Sequence, residues 1–301
     1  MGIAKFMNGK FQDAPLVYVC AQFKFNFLDL TLEQEIAVGQ ALQKTIFRKR
    51  LNSKDSVTSI TPGATPRVEN LTVEREAYFS MDQRNCLVID KDNNLIEFRT
   101  SRYERSNDFI GNIFSALKAM TEAVTPMQDF SVAEVSFNYV DIIAPKAERQ
   151  LQDYFAHGDK ALPLSVIKNV SDNDVLQIGS TRFTRVLKDN RTRLDIEIEQ
   201  LPKSPSTPEI KYLPNQLVER NRAFSMPIDL PSTLNVLEEG FYAMVWTKAS
   251  KLPQDDIGLG SQEVEQLCVK THGLAKESFH SLINQDVCKT DWNWVDIKQE
   301  H

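Results

Sequence analysis

The first uninterrupted block of strand-forming positions is Leu16–Phe25, where β-branched and aromatic residues follow Pro15 and predict a strand. Thr31 with Gln34 three positions on has the form of a capping box, in which a hydroxyl and an amide each satisfy a free N–H of the first helical turn. Ile36, Leu42, Ile46 and Phe47 continue at helical spacing, so a helix is predicted over 32–47, stopping at Arg48, Lys49 and Arg50, whose charges suit a helix C-terminus. Residues 52–69 are rich in Ser, Thr, Pro and Gly and predict a long loop. Three strands are predicted next, over 71–79, 86–90 and 95–100, the last two joined by Lys91-Asp92-Asn93-Asn94 as a turn.

Asn107 or Asp108 is placed to cap a helix that carries Phe109, Ile113, Phe114, Leu117 and Met120 and stops near Pro126. In 132–143, Val135, Phe137 and Tyr139 alternate with Glu134, Ser136 and Asn138, the period of a strand, which ends before Pro145. The mixed polar stretch 145–175 sets a boundary between an N-terminal half, 1–145, and a C-terminal half, 146–301. Beyond it, 181–187 and 192–200 flank Lys188-Asp189-Asn190-Arg191 as a hairpin. The segment 201–214 holds Pro202, Pro205, Pro208 and Pro214, which fits neither a helix interior nor a central strand and predicts an excursion. A strand over 241–247 and a helix over 262–283, with Val264, Leu267, Cys268, Ala275, Phe279 and Leu282 as its apolar stripe, complete the chain. The coarse order hairpin, strand, helix returns in the second half. The fold class expected is α+β, with antiparallel sheets, helices packed on one face, and two related halves.

Composition changes this picture little and excludes several roles. A chain of 301 residues, 42% hydrophobic and 25% charged, has the balance of a globular protein and not of a disordered one. A net charge of −6 repels phosphate backbones and anionic lipid, so nucleic acid is not the expected partner. No apolar run has the length of a signal peptide or membrane span, and a cytoplasmic location is expected. Cys20, Cys86, Cys268 and Cys288 stand far apart without a CxxC pair, which predicts buried thiols and implies no metal or other cofactor.

Four groups of residues invite a chemical reading. Asp195, Glu197 and Glu199 alternate with apolar residues, with Arg182, Arg185, Arg191 and Arg193 close by in the same hairpin. Facing into a barrel, such a set would hold a divalent metal and polyphosphate, as in triphosphate tunnel enzymes; facing out, it is a solvated strand with cross-strand ion pairs. The absence of a Lys in Glu-x-Glu-x-Lys spacing favours the second. Two basic clusters, Lys44, Arg48, Lys49, Arg50 and Lys54, and Arg99, Arg102 and Arg105 with Tyr103, are read as a helix terminus and a hairpin end. His272 borders the apolar stripe of its helix while His280 is expected on the exposed side, so the two do not converge as metal ligands. Finally, Trp292 and Trp294 near the C-terminus, together with Pro205 and Pro208, are the candidate contacts for a partner.

The stretches Ala14-Pro15-Leu16-Val17, Val135-Ser136-Phe137-Asn138-Tyr139-Val140-Asp141 and Thr271-His272-Gly273-Leu274-Ala275-Lys276-Glu277-Ser278-Phe279 resemble an uncharacterised, sporadically distributed bacterial protein family over most of the chain. The central strand departs from the Arg-Tyr-Ile-Asn form of that family, with Phe137-Asn138-Tyr139-Val140 in its place. The resemblance implies no known chemistry; it implies a bacterial accessory role, in antiphage defence or a toxin system. The functional expectation is therefore a non-enzymatic binding or adaptor protein that meets a protein partner or a second copy of itself. The alternative is a metal-dependent phosphohydrolase or nucleotide-binding protein built on Asp195, Glu197 and Glu199.

Overall fold

The computed structural model describes residues 9–61, 67–156, 179–205 and 209–296. Strand β1 (Gly9–Phe11) leads into β2 (Leu16–Phe25), whose residues 17–21 are buried without alternation because both faces of the strand are covered. Helix α1 (Leu32–Leu42) opens on the expected capping box: Gln34 N–H donates to Thr31 Oγ1 at 3.3 Å and Thr31 N–H to Gln34 Oε1 at 2.9 Å. It ends about one turn before the periodicity predicts. The Thr45 hydroxyl donates to the Leu42 carbonyl and accepts from Phe47 N–H, and Phe47 turns into the core against Phe98. Lys49 and Arg50 consequently start a strand rather than finish a helix.

That strand, β3 (Lys49–Thr61), pairs with β4 (Arg67–Phe79) from Lys49↔Phe79 to Thr61↔Arg67, so the loop expected over 52–69 is instead a long hairpin. Ser and Thr mark loops by composition, but Thr with Val57, Ile60, Val68 and Val73 also favours a pleated backbone, and pairing decides between the two. Strands β5 (Asn85–Asp90) and β6 (Leu95–Thr100) complete the meander, with Asn94 at a φ of 52° in their turn. Helix α2 (Ser106–Ala123) starts at Arg105, without a side-chain cap; Asp108, an expected cap, lies inside the first turn, where its charge suits the helix dipole. A 3-10 turn, Thr125–Asp129, contains Pro126 and leads to β7 (Val132–Ile143).

The second hairpin is β8 (Gly179–Val186) and β9 (Thr192–Lys203). Its turn is held by Asp189, whose carboxylate accepts from the N–H groups of Arg191 and Thr192 and from the Thr192 hydroxyl. Against expectation, β9 runs on through Leu201 and Pro202. Pro202 pairs with Phe241 of β10, and the described pairing with β8 ends at Gly179↔Gln200. Then come α3 (Ser232–Val236), β10 (Gly240–Lys251), α4 (Gln262–Leu282), α5 (Gln285–Asp291) and β11 (Trp294–Asp296).

Nine strands form one antiparallel sheet in the order β3-β4-β5-β6-β2-β7-β10-β9-β8, and β1 pairs with β11 beside it. The class is α+β: α1, α2 and α4 cover one face of the sheet, over a core that includes Phe23, Phe98, Ile113, Phe137, Val245 and Cys268. The expected boundary at 145/146 does not divide the sheet. β7 and β10 pair from Val135↔Lys251 to Ile143↔Ala243, and the main core takes residues from both segments. The opposite face is covered by residues 209–237, an excursion whose Ile210, Leu213, Leu217 and Leu234 pack on Tyr18, Val140, Tyr242 and Trp246. Among the described residues no helix is long and apolar enough to cross a membrane.

Candidate functional site

The alternation in the central strands turns one polar row toward the excursion. Register sets Gln22 opposite Glu97 and Ser136, Cys20 opposite Arg99 and Asn138, Asn138 opposite Lys248, and Trp246 opposite Glu197. Along this row Trp246 Nε1 donates to Asn138 Oδ1 at 3.1 Å, Asn138 Nδ2 to Gln22 Oε1 at 3.3 Å, and Gln22 Nε2 to Glu97 Oε1 at 2.6 Å. Arg99 donates through Nε to Glu97 Oε2 at 2.8 Å and through Nη1 to Glu219 Oε2 at 2.8 Å. Glu219, on the excursion, also receives Arg75 Nη2 at 2.8 Å. Polar contacts thus run unbroken from β10 to β4, with Glu219 binding the roof to the sheet.

Burial alone would push the Arg99 guanidinium down; the carboxylate of Glu97 beside it reverses this, and Arg99 is held charged. Burial likewise pushes the Glu219 carboxyl up, but the hydrogen bond from Arg75 and the charge of Arg99 outweigh it, leaving its pKa below the usual carboxylate range. The roof has further polar ties at its far end: Arg84 donates to the Pro227 carbonyl at 2.8 Å and pairs with Asp229 at 2.9 Å, and Ser101 donates to Pro227 at 2.6 Å.

Between roof and sheet lies a cavity of about 450 Å³, with Tyr18 and Arg99 on its floor and Ile210, Leu213, Leu217 and Phe224 among its walls. Tyr18 is only 4% exposed, yet its hydroxyl has no hydrogen-bond partner among the described residues. Burial raises the pKa of this phenol well above the ordinary value, against the opposing charge of Arg99, so it keeps its proton.

The carboxylate stripe of β9 lies on this same face, and its members have different surroundings. Asp195 is buried and receives Thr184 Oγ1 at 2.5 Å and Arg193 Nε at 2.7 Å, with Arg182 at 3.9 Å. Desolvation would raise its pKa; the hydrogen bonds from Arg193 and Thr184 prevail and lower it. Glu199 pairs with Lys211 at 2.6 Å. Glu197 is half-buried opposite Arg182, whose guanidinium lies 6.0 Å from the centre of the Trp246 ring. Among the described residues no three His, Cys, Asp or Glu side chains group as a metal site.

His272 is buried on the other face, its Nδ1 hydrogen-bonded to the Tyr139 hydroxyl, and burial pushes its pKa down to about 4 with help from Lys276. His280 is not on an exposed side as expected: β1 and the C-terminal segment cover it, with Phe11 5.9 Å away, and burial again pushes its pKa to about 4. All four cysteines are free and buried. Of the basic clusters, Lys44, Arg48, Lys49 and Arg102 are exposed, whereas Arg99 is interior and Tyr103 packs between Phe109 and Tyr139.

Trp292, expected as a partner contact, is instead part of the core, stacked with Tyr154 at 5.8 Å and Phe279 at 6.4 Å, because β11 pairs with β1 and draws the tail inward. Trp294 is half-buried against Phe11 and Lys289. Pro205 is exposed in a turn, and Pro208 lies outside the described residues.

Sequence reasoning did not find Tyr18, Glu97 or Glu219. Glu97 and Arg99 left one signal, a Glu and an Arg alternating with Ile96 and Phe98 in a six-residue strand. Glu219 left none, since its partners are distant in sequence. Compared with known protein families, curated proteins and solved structures, the chain finds no match.

Proposed function

We propose that this protein is a non-enzymatic binding component of a bacterial system and that its ligand enters the cavity between the sheet and residues 209–230. The observation that carries this reading is a cavity of about 450 Å³, within the range of roughly 300–1,000 Å³ usual for small-molecule sites, lined by the Tyr18 hydroxyl, which has no hydrogen-bond partner among the described residues. A hydroxyl facing a cavity with mainly apolar walls gives a ligand one directional hydrogen bond beside its apolar contacts. The roof above it is tied to the sheet by Glu219, Lys211 and Asp229 as well as by apolar packing, and in this reading a bound ligand alters the surface that the roof offers to a protein partner. The bacterial setting, in antiphage defence or a toxin system, is what the family resemblance contributes.

The test is a thermal-shift screen of the full chain against neutral and charged metabolites, repeated with Val218→Trp. Val218 lines the cavity and is 51% exposed, so an indole there closes the mouth without overfilling the core. A stabilising compound whose effect disappears in the variant supports the reading, since a ligand raises Tm through its affinity for the native state. A screen without any such compound overturns it.

The phosphohydrolase reading has less support, because Asp195 and Glu199 are each neutralised by a basic side chain. Calorimetry with Mg²⁺ and a nucleoside triphosphate on the wild type and Glu197→Gln decides it: no heat, or heat unchanged in the variant, removes that alternative.

A further inference from the structure

We infer that the ligand of this cavity is an uncharged, ring-bearing small molecule with a carbonyl-type acceptor, an inference that rests on the cavity being the binding site. The first argument is the pairing of charges at the wall. Arg99 is matched by Glu97 and Glu219, and Lys211 by Glu199, so among the described lining residues an anionic ligand meets no cation that lacks a carboxylate. Glu209 also lines the cavity but is exposed, so it acts only weakly on a charge of either sign. A cationic ligand fares no better. Glu219 is already held by two guanidinium groups, and a solvent-exposed carboxylate such as Glu209 gives little net attraction.

What the floor does offer is hydrogen bonding to a neutral group. Tyr18 lines the cavity with a protonated hydroxyl that has no partner among the described residues. Arg99 carries more N–H groups than its contacts to Glu97 and Glu219 use. Tyr18 stands two residues before Cys20, which lies directly across from Arg99, so phenol and guanidinium project from the same face as diagonal neighbours. A carbonyl oxygen has two lone pairs and suits two donors placed side by side.

The walls supply the rest. Tyr212 offers an aromatic face, while Leu213, Leu217 and Ile228 line the cavity with aliphatic surface. A flat, mainly apolar ring fits such surroundings.

Three probes of nearly identical shape separate the charge classes: benzamide, benzoate and benzamidinium, each titrated into the full chain and followed by ligand-observed NMR. Benzamide is expected to bind at least tenfold more tightly than either ion, to weaken about tenfold in Tyr18→Phe through loss of one hydrogen bond, and to lose binding in Val218→Trp. If an ion binds as well as benzamide and Val218→Trp abolishes it, the ligand class is wrong while the cavity stands as the site. Benzamide binding indifferent to Tyr18→Phe, or no binding by any probe, also overturns the class. Benzamide binding unchanged in Val218→Trp overturns the cavity itself.

Discussion

Asn138 shows how much a single side chain decides here. It is 1% exposed in the middle of the sheet, accepts from the Trp246 indole and donates to Gln22 Oε1, and so joins β10 to β2 across β7. Asn138→Ala leaves the indole N–H buried without an acceptor and is expected to cost about 2–4 kcal/mol, measured by urea unfolding. In a double-mutant cycle Trp246→Phe should recover part of the loss, since it removes the stranded donor. His272 gives a second residue-scale prediction. Its native pKa, pushed to about 4 by burial, lies below the ordinary value of 6.5, so the unfolded chain binds its proton first as the pH falls. Its contribution is therefore present above pH 6.5 and is lost as the pH falls toward 4, by roughly 3 kcal/mol. Stability measured from pH 7 to 4 should fall less steeply in His272→Gln. The difference between the two slopes isolates the histidine from Glu219 and Asp195, which also lose stabilisation in acid.

Among the elements, the excursion over residues 209–237 is the least regular, with a 3-10 turn at Arg222–Phe224 and the five-residue α3 as its only helices among the described residues. Its backbone has no place in the sheet, so side chains must hold it. Glu219, joined to Arg75 and Arg99, is the central tie. Removing one partner of a buried ion pair costs about 3–5 kcal/mol in general. In Glu219→Gln that loss should fall mainly on the excursion: hydrogen exchange of residues 209–230 should rise while β2, β7 and β10 stay protected. Equal loss of protection in the central strands would show that roof and sheet open together.

At the scale of the molecule, the nine-stranded sheet passes through the expected 145/146 boundary along β7 and β10, and one core lies beneath it. Such a protein should unfold as one cooperative unit. In urea, far-UV circular dichroism and tryptophan fluorescence should report coincident transitions, because Trp246, Trp292 and Trp294 belong to the same unit as the N-terminal strands. Two separated transitions would mean that the segments melt independently despite their shared sheet.

Local physics was legible in the sequence. The Thr31–Gln34 capping box, the alternation in Val132–Ile143, the Asp189 turn and the apolar stripe of the last helix each involve residues within a turn or a few positions of one another, so chain geometry alone determines them. The burial of the four cysteines followed from their apolar surroundings. Tertiary structure decided the rest. Lys49–Thr61 became a strand because Arg67–Phe79 pairs with it, and Trp292 became core because β1 reaches across to β11. The candidate site also depends on contacts between distant segments: Glu219 meets Arg75 and Arg99, 144 and 120 residues away. A carboxylate on an irregular segment and two arginines on strands have no common period in the sequence. Only the stacking of that segment on the sheet brings their charges together, and with them the cavity that Tyr18 faces.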